Sequence, residues 1–374
     1  MTDLYVELAN PNAVYFPGNV VNGNVFIRLK EPMKARCVTA SIMGKARTHW
    51  TCWEERSTTN RSTTSESVPY WSEIIYIDQH VCLWDSTAEN KKLPAGEHRF
   101  PFSFILPLNI PPTYEAKIDR PWKFDKVCQR AFTVTPHFDL NTITYSGLPT
   151  VKQMSKDLGF LLFKSGHVNI KIMLAKTGYV PGESMALTME VQNMSKKDIN
   201  RVEVSLVQTA LCSAQRRGHH HHFGTHFRYK DVETKEEIRT VVNYCENFVV
   251  NKHSTGNYQR MLAIPPVVSS FNICPIISVA YYLKVKVVAK GINNSITSEL
   301  PVLLGTIPVR PNAVMAQSIE FPANIAPPMP SAPPPDYEAS QVSYGNCMFG
   351  KSTMSDNQDE KSPDYTPNYI VINQ

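Results

Sequence analysis

Tyr15-Phe16-Pro17-Gly18 leads into a run in which Val25, Ile27 and Leu29 alternate with Phe26, Arg28 and Lys30. The arrangement returns 164 residues later: Tyr179-Val180-Pro181-Gly182 leads into Leu187, Met189 and Val191, alternating with Thr188, Glu190 and Gln192. Proline fixes φ and glycine accepts positive φ, so each Pro-Gly pair marks a tight turn. Period-two alternation is the pattern of a half-buried strand. A turn and strand occurring twice at a fixed offset indicate an internal repeat. A second echo supports it, Ile105-Leu106-Pro107 with Pro111-Pro112 against Leu262-Ala263-Ile264-Pro265-Pro266.

Outward from these copies the same period continues. Val168, Ile170, Ile172 and Leu174 alternate with Asn169, Lys171 and Met173; Val202, Val204 and Leu206 with Glu203 and Ser205; and Leu283, Val285 and Val287 with Lys284 and Lys286. Pro94-Ala95-Gly96 adds another turn, and no long amphipathic helix is evident. Many short strands separated by Gly/Pro turns predict an all-β chain of two tandem β-sandwiches. Their expected extents are 1–145 and 166–310, with 146–165 as a linker around Ser146-Gly147 and Leu148-Pro149. The copies differ in one respect. Pro265-Pro266 is followed by a full strand, Val279 to Val288, whereas Pro111-Pro112-Thr113-Tyr114 runs almost at once into Glu115-Ala116-Lys117-Ile118-Asp119-Arg120. The first copy lacks a strand of about ten residues; either its sheet is shortened or the sequence lacks an exon.

Of the 28 prolines, ten fall in residues 311–374, where no sustained apolar periodicity remains. Ala326 to Pro335 reads as an extended polyproline stretch, and 311–374 as a disordered Pro-rich tail. The tail carries seven acids against two bases, a net of −5, which leaves +10 on residues 1–310 of a chain whose total is +5. A basic body suits acidic partners or serves solubility. No apolar run reaches transmembrane length; Ile273 to Leu283 comes nearest and is interrupted by Pro275. The first residues have neither a basic region nor an apolar core, so no signal peptide is expected. Eight cysteines without a Cys-x-x-Cys pair read as reduced thiols of a cytosolic protein.

Catalytic signatures are lacking: there is no Gly-x-Ser-x-Gly, phosphate-binding glycine loop or His-Glu-x-x-His, so no enzyme and no cofactor are expected. His219-His220-His221-His222, with His226, is the one cluster with metal-ligand chemistry. Its Gly- and Arg-rich flanks and the lack of Cys or acidic residues at ligand spacing make it a solvated hairpin loop, and no metal site is assigned. The strongest short motif is Pro334-Pro335-Asp336-Tyr337, which fits Pro-Pro-x-Tyr, the ligand of WW domains. A preformed polyproline turn loses little entropy on docking, two prolines fill an aromatic groove, and Tyr337 enters the neighbouring pocket. Ser362-Pro363-Asp364-Tyr365 is a degenerate second copy in which Pro363 and Tyr365 would give a weaker site, adding avidity. Pro111-Pro112-Thr113-Tyr114 has the same pattern inside the folded body and is read as a structural loop. Tyr369-Ile370-Val371-Ile372 fits a Tyr-x-x-apolar sorting pattern, a common accident. The sequons at Asn60 and Asn193 are discounted in a protein that is not secreted. Aromatics are not interleaved with the basic residues, so no nucleic-acid partner is expected.

These features together resemble the arrestin domain-containing family, the α-arrestins. The resemblance is carried by Tyr15-Phe16-Pro17-Gly18 with Val25-Phe26-Ile27, by Phe100-Pro101-Phe102-Ser103-Phe104-Ile105-Leu106-Pro107, and by Asp119-Arg120-Pro121-Trp122 before Phe132-Thr133-Val134. In the second half it is carried by Gly178 to Glu183, Ile264-Pro265-Pro266 and Leu303-Leu304-Gly305-Thr306-Ile307-Pro308. It implies two tandem arrestin-type, immunoglobulin-like β-sandwiches and a cytoplasmic, non-catalytic adaptor, peripheral at the plasma membrane and endosomes. Tails of the family bind WW domains of HECT-type E3 ubiquitin ligases through Pro-Pro-x-Tyr, here Pro334, Pro335 and Tyr337. The sandwiches engage membrane-protein cargo, receptors or transporters, for ubiquitination, endocytosis or endosomal sorting, with an acidic membrane surface as a further partner. The alternative is a retromer-subunit-like scaffold of the same fold that uses no ligase.

Overall fold

A computed structural model describes residues 3–57, 63–86, 92–114, 130–160, 163–216, 232–291, 295–310, 342–346 and 366–372. The described residues are almost entirely β-structure. The first sandwich contains β1 (Asp3–Leu8), β2 (Val14–Tyr15), β3 (Val20–Leu29), β4 (Met33–Lys34), β5 (Cys37–Ser57), β6 (Thr63–Asp85), β7 (Lys92–Leu93), β8 (Gly96–Ile105) and β9 (Thr133–Val134). A short 3-10 turn at Leu140–Thr142 leads to the second sandwich. That contains β10 (Thr150–Phe160), β11 (Phe163–Leu174), β12 (Gly178–Tyr179), β13 (Ser184–Asn193), β14 (Ile199–Arg216), β15 (Val232–Val250), β16 (Ser254–Ala263), β17 (Phe271–Cys274), β18 (Ile277–Ala289) and β19 (Ser295–Leu304). Two further strands, β20 (Val342–Asn346) and β21 (Asn368–Ile372), pair antiparallel with each other.

The repeat seen in the sequence is present in the hydrogen bonds. Gly18 (φ 81°) and Gly182 (φ 91°) both occupy the left-handed region their turns require. Gly18 N–H donates to Leu106 O (3.1 Å) and Leu106 N–H to Asn19 O (2.9 Å); Gly182 N–H donates to Ile264 O (2.8 Å) and Ile264 N–H to Glu183 O (2.9 Å). The residue after each glycine closes the turn with its side chain: Asn19 Oδ1 accepts from Phe16 N–H (2.9 Å) and Glu183 Oε2 from Val180 N–H (3.0 Å). Upstream, β2 runs parallel to β9 as β12 runs parallel to β19.

The alternating runs are the core. Val168, Ile170, Ile172 and Leu174 on β11 face Val202, Val204 and Leu206 on β14 and Leu283, Val285 and Val287 on β18, all within one buried cluster. The first sandwich has two smaller clusters, one around Tyr15, Val21, Ile42, Ile77, Phe104 and Val134, the other around Val25, Ile27, Leu29 and Leu93. The described strands differ in the same way. In the second sandwich β18 pairs with β14 on one side and β19 on the other. In the first, β9 is only two residues long, and no counterpart of β18 occurs among the described residues. Residues 115–129, where it would begin, lie outside them.

The expected linker 146–165 is mostly strand. β10 lies within it and pairs along almost its whole length with β11, completing the sheet β10-β11-β13-β16. It escapes pattern reading because it is an edge strand: in Thr150-Val151-Lys152-Gln153-Met154-Ser155-Lys156 hardly any side chain faces the core, so polar residues dominate.

The two sandwiches share a sheet. Gln215 and Arg216 on β14 pair with Trp71 and Tyr70 on β6, giving the continuous order β12-β19-β18-β14-β6-β5. Trp50, Val68 and Tyr70 are buried there against Ala214. Thr48 Oγ1 donates to Ser213 O (2.7 Å), and Gln215 N–H donates to Ser72 Oγ (3.0 Å). The connection through 138–141 is also tied down: Phe138 N–H donates to Thr306 Oγ1 (2.8 Å) and Asn141 Nδ2 to Pro308 O (2.9 Å).

Candidate functional site

The sequence places the site in the tail. Pro334, Pro335, Tyr337, Pro363 and Tyr365 all lie outside the described residues, as do His219 to His222 and His226. The described parts of the tail depart from the expectation of disorder. β20 and β21 are packed on the body at the seam between the sandwiches, and Tyr369, Ile370 and Ile372 are buried. Thr133 Oγ1 accepts from Asn368 N–H (3.0 Å), Thr113 O accepts from the Tyr369 hydroxyl (3.0 Å), and Pro181 O accepts from Ile372 N–H (3.0 Å). The first two acceptors belong to the first sandwich and the third to the second, so five residues of the tail tie the two together.

Two glycines permit this approach. A Cβ on Gly182 would collide with the carbonyl oxygen of Ile372 and come within 2.7 Å of Val371 Cγ1; one on Gly345 of β20 would collide with the Pro266 ring. The tail is therefore seated on the Pro181-Gly182 turn, which the sequence marks only as a repeat signature. Ile370 and Ile372 pack with Leu140 and Val180, and Tyr369 joins the main core of the second sandwich. The signal for this strand is short: Pro367, then Tyr-Ile-Val-Ile. In this conformation Tyr369, Ile370 and Ile372 are buried as structure and Val371 is half-buried, rather than displayed as a sorting pattern.

The body's own Pro-Pro-x-Tyr match is part of the same seam. Pro112 is buried. Thr113 Oγ1 accepts from Val134 N–H (2.8 Å), and Tyr114 packs edge-on to Phe271 (6.2 Å between ring centroids) with Arg239 over its ring. A WW domain would need Pro112 and Tyr114 exposed. The Asn193 sequon is closed as well: Asn193 is fully buried, with its amide nitrogen on Lys197 O, Val250 O and Asn251 O and its oxygen accepting from Ser195.

The turn itself is braced electrostatically. Lys176 pairs with Glu183, and burial pushes the Tyr179 phenol up to about 12, against the lowering effect of the Lys176 N–H that donates to it. Tyr179 is thus a neutral, structural hydroxyl at any physiological pH. A cavity of about 10 Å³ at the seam, lined by Thr135, Ser269, Tyr369 and Ile370 among others, is too small for an organic ligand. Among the described residues no three His, Cys, Asp or Glu side chains converge as metal ligands, and no helix is long and apolar enough to cross a membrane. What the described residues offer is extended β-surface and, at the seam, a seat in which a strand of the tail is held.

Comparison with known proteins bears on both halves. Residues 4–141 match the family model for the arrestin (or S-antigen) N-terminal domain, and residues 164–309 that for the arrestin (or S-antigen) C-terminal domain. The chain is 28% identical over 314 residues to Arrestin domain-containing protein 17 of Caenorhabditis elegans, covering 80% of this chain and 69% of that one. It is 28% identical over 355 residues to Arrestin domain-containing protein 1 of Mus musculus, covering 91% and 73%. Against Arrestin domain-containing protein 4 of Homo sapiens it is 27% identical over 309 residues, covering 79% and 68%.

Proposed function

Because the chain belongs to the arrestin domain-containing family and has its two-sandwich body, we propose that it is a non-catalytic trafficking adaptor whose tail recruits a HECT-type ubiquitin ligase to membrane-protein cargo. The observation that carries the ligase arm is Pro334-Pro335-Asp336-Tyr337, a complete WW-domain ligand between the last residue of the second sandwich and the docked strand β20. Pro334 and Pro335 fill the WW groove and Tyr337 its adjoining pocket. Pro363 and Tyr365 form a weaker second contact that raises the local concentration of ligase. The sandwiches hold the cargo, which is then ubiquitinated and internalised or sorted. The work is done at the cytoplasmic face of the plasma membrane and endosomes, where the basic body faces an anionic surface.

Co-purification from cells tests this reading. The intact chain is expected to bring down a HECT-type ligase; Tyr337→Ala and deletion of 311–341 are both expected to lose it while the sandwiches remain folded. Stable assembly with other proteins that is indifferent to both changes, with no ligase present, would replace the adaptor with a ligase-independent scaffold.

A further inference from the structure

The two Pro-Gly turns have the same backbone and different covers. In the second sandwich Gly182 and Pro266 lie under the chain's own strands β21 and β20. The matching hydrogen bonds put Gly18 in the place of Gly182 and Leu106 in that of Ile264, so Leu108 stands where Pro266 does. Among the described residues, only the Leu108 side chain lies over Gly18, its Cδ2 2.8 Å from where a Cβ would be. Leu108 is 83% exposed. Beside it, Val20 (47% exposed) and Ile105 (65%) are direct partners across the β3–β8 ladder, on the face away from the core. At the corresponding positions the second sandwich has Ser184 and Ala263, paired in the same way. The covered seat thus has small residues beside it, and the uncovered one has three large apolar side chains in water.

We propose that Val20, Ile105 and Leu108, with the Pro17-Gly18 turn, form a docking surface for an extended segment of a partner protein. Its chemistry is that of the strand seated on the other turn, an uncharged run of aromatic and β-branched residues such as Tyr369-Ile370-Val371-Ile372. The repeat supplies the argument for this occupant: an equivalent turn in the same chain holds such a strand through a proline carbonyl, Pro181 O to Ile372 N–H, and Pro17 is its counterpart. The rim agrees, since the exposed neighbours Asn19, Asn22, Ser103 and Asn109 are polar but uncharged and favour neither an acidic nor a basic peptide. The chain's own strand of this chemistry, β21, is already engaged at Thr113, Thr133 and Pro181, and the occupant we propose is therefore a segment of another protein. Contiguous exposed apolar side chains with a polar rim are the ordinary mark of a protein-binding patch, and strand-like peptides gain affinity from main-chain bonds and specificity from side-chain seats.

A labelled peptide with the sequence of residues 366–374 is the probe, titrated into the full chain. Binding on the order of tens of micromolar is expected, weakened about tenfold or more by the double substitution Ile105→Ser with Leu108→Asp. Both side chains are exposed, so the variant should keep its near-ultraviolet circular dichroism. Three results would overturn the proposal. One is no binding by the full chain. Another is an affinity unchanged in the double variant, which would mean the probe exchanges with the chain's own strand at Pro181. The third is sedimentation showing that the double variant loses only self-association, which would make a second copy the occupant.

Discussion

Among the described residues the second sandwich has the fuller sheet and one large core, and the first has fewer paired strands and two small cores. Their turns and upstream strands share the same backbone hydrogen bonds, and among the described residues the sheets differ in a central element. β18 sits between β14 and β19 in the second sandwich, and no described strand takes its place in the first. A central strand buries side chains on its inner face and satisfies two neighbours' backbones, so β18 adds both burial and pairing to the second sandwich. The first sandwich is also joined to the second: β6 pairs with β14, and Trp50 and Tyr70 are buried partly by residues of the other sandwich. Structure is thus concentrated in the second sandwich and at the seam.

The largest expected effect follows from that contrast. Leu206→Ala, at a fully buried position in the large core, should cost about 3–5 kcal/mol, whereas Ile42→Val in the small core should cost about 1 kcal/mol. Chemical denaturation followed through tryptophan, all of whose described positions are in the first sandwich, and through global circular dichroism would separate the two. If each substitution shifted both probes by the same amount, the sandwiches would be one cooperative unit and the contrast would dissolve.

The two turns give the next test. Gly182→Val should expel β21, since its side chain meets backbone of Ile372, and limited proteolysis should then remove the C-terminus rapidly. Gly18→Val meets only the far end of a flexible leucine and should cost about 1–2 kcal/mol of backbone strain with the C-terminus still protected. A smaller effect is expected at the seam. Tyr369→Phe removes the bond to Thr113 O and should lower stability by about 1 kcal/mol, read as a decrease of a few degrees in melting temperature. Little or no change would mean that the staple is held by packing alone.

The smallest effect is electrostatic. The hydrogen bond from Lys286 holds the Glu203 carboxyl below its usual value, against the opposing effect of burial. A lowered folded value means that this stabilisation is complete at neutral pH and still present at the ordinary value of 4.5, then lost as pH falls through the folded value. The pair is partly exposed, so the contribution is a fraction of a kcal/mol. Wild type and Glu203→Gln should therefore converge in stability in strong acid and differ slightly at neutral pH.

Much of the fold was legible because strands buried on one face record it as alternation, as in Val168 to Leu174. It was illegible where burial is not apolar alternation. β5 turns Ile42, Gly44, Ala46, Thr48 and Trp50 inward, a mixture that hides a 21-residue strand. β10 is an edge, and β21 is too short to stand out from a Pro-rich tail. The shared sheet could not be read at all, since Gln215 and Trp71 reveal nothing of each other in sequence. The candidate site divides in the same way. Pro-Pro-x-Tyr is readable because a single short segment contains all its chemistry. The seats on the Pro-Gly turns are not, because each is assembled from segments far apart in sequence, 17–20 with 105–108 in one and 181–184 with 263–266 in the other.

The adaptor account rests most directly on the tail motif, and a titration tests it. A peptide spanning residues 326–345 should bind a WW domain of a HECT-type ligase with a dissociation constant on the order of micromolar, and Tyr337→Ala should abolish that binding. No binding by the native peptide, or equal binding by the alanine variant, would contradict the account.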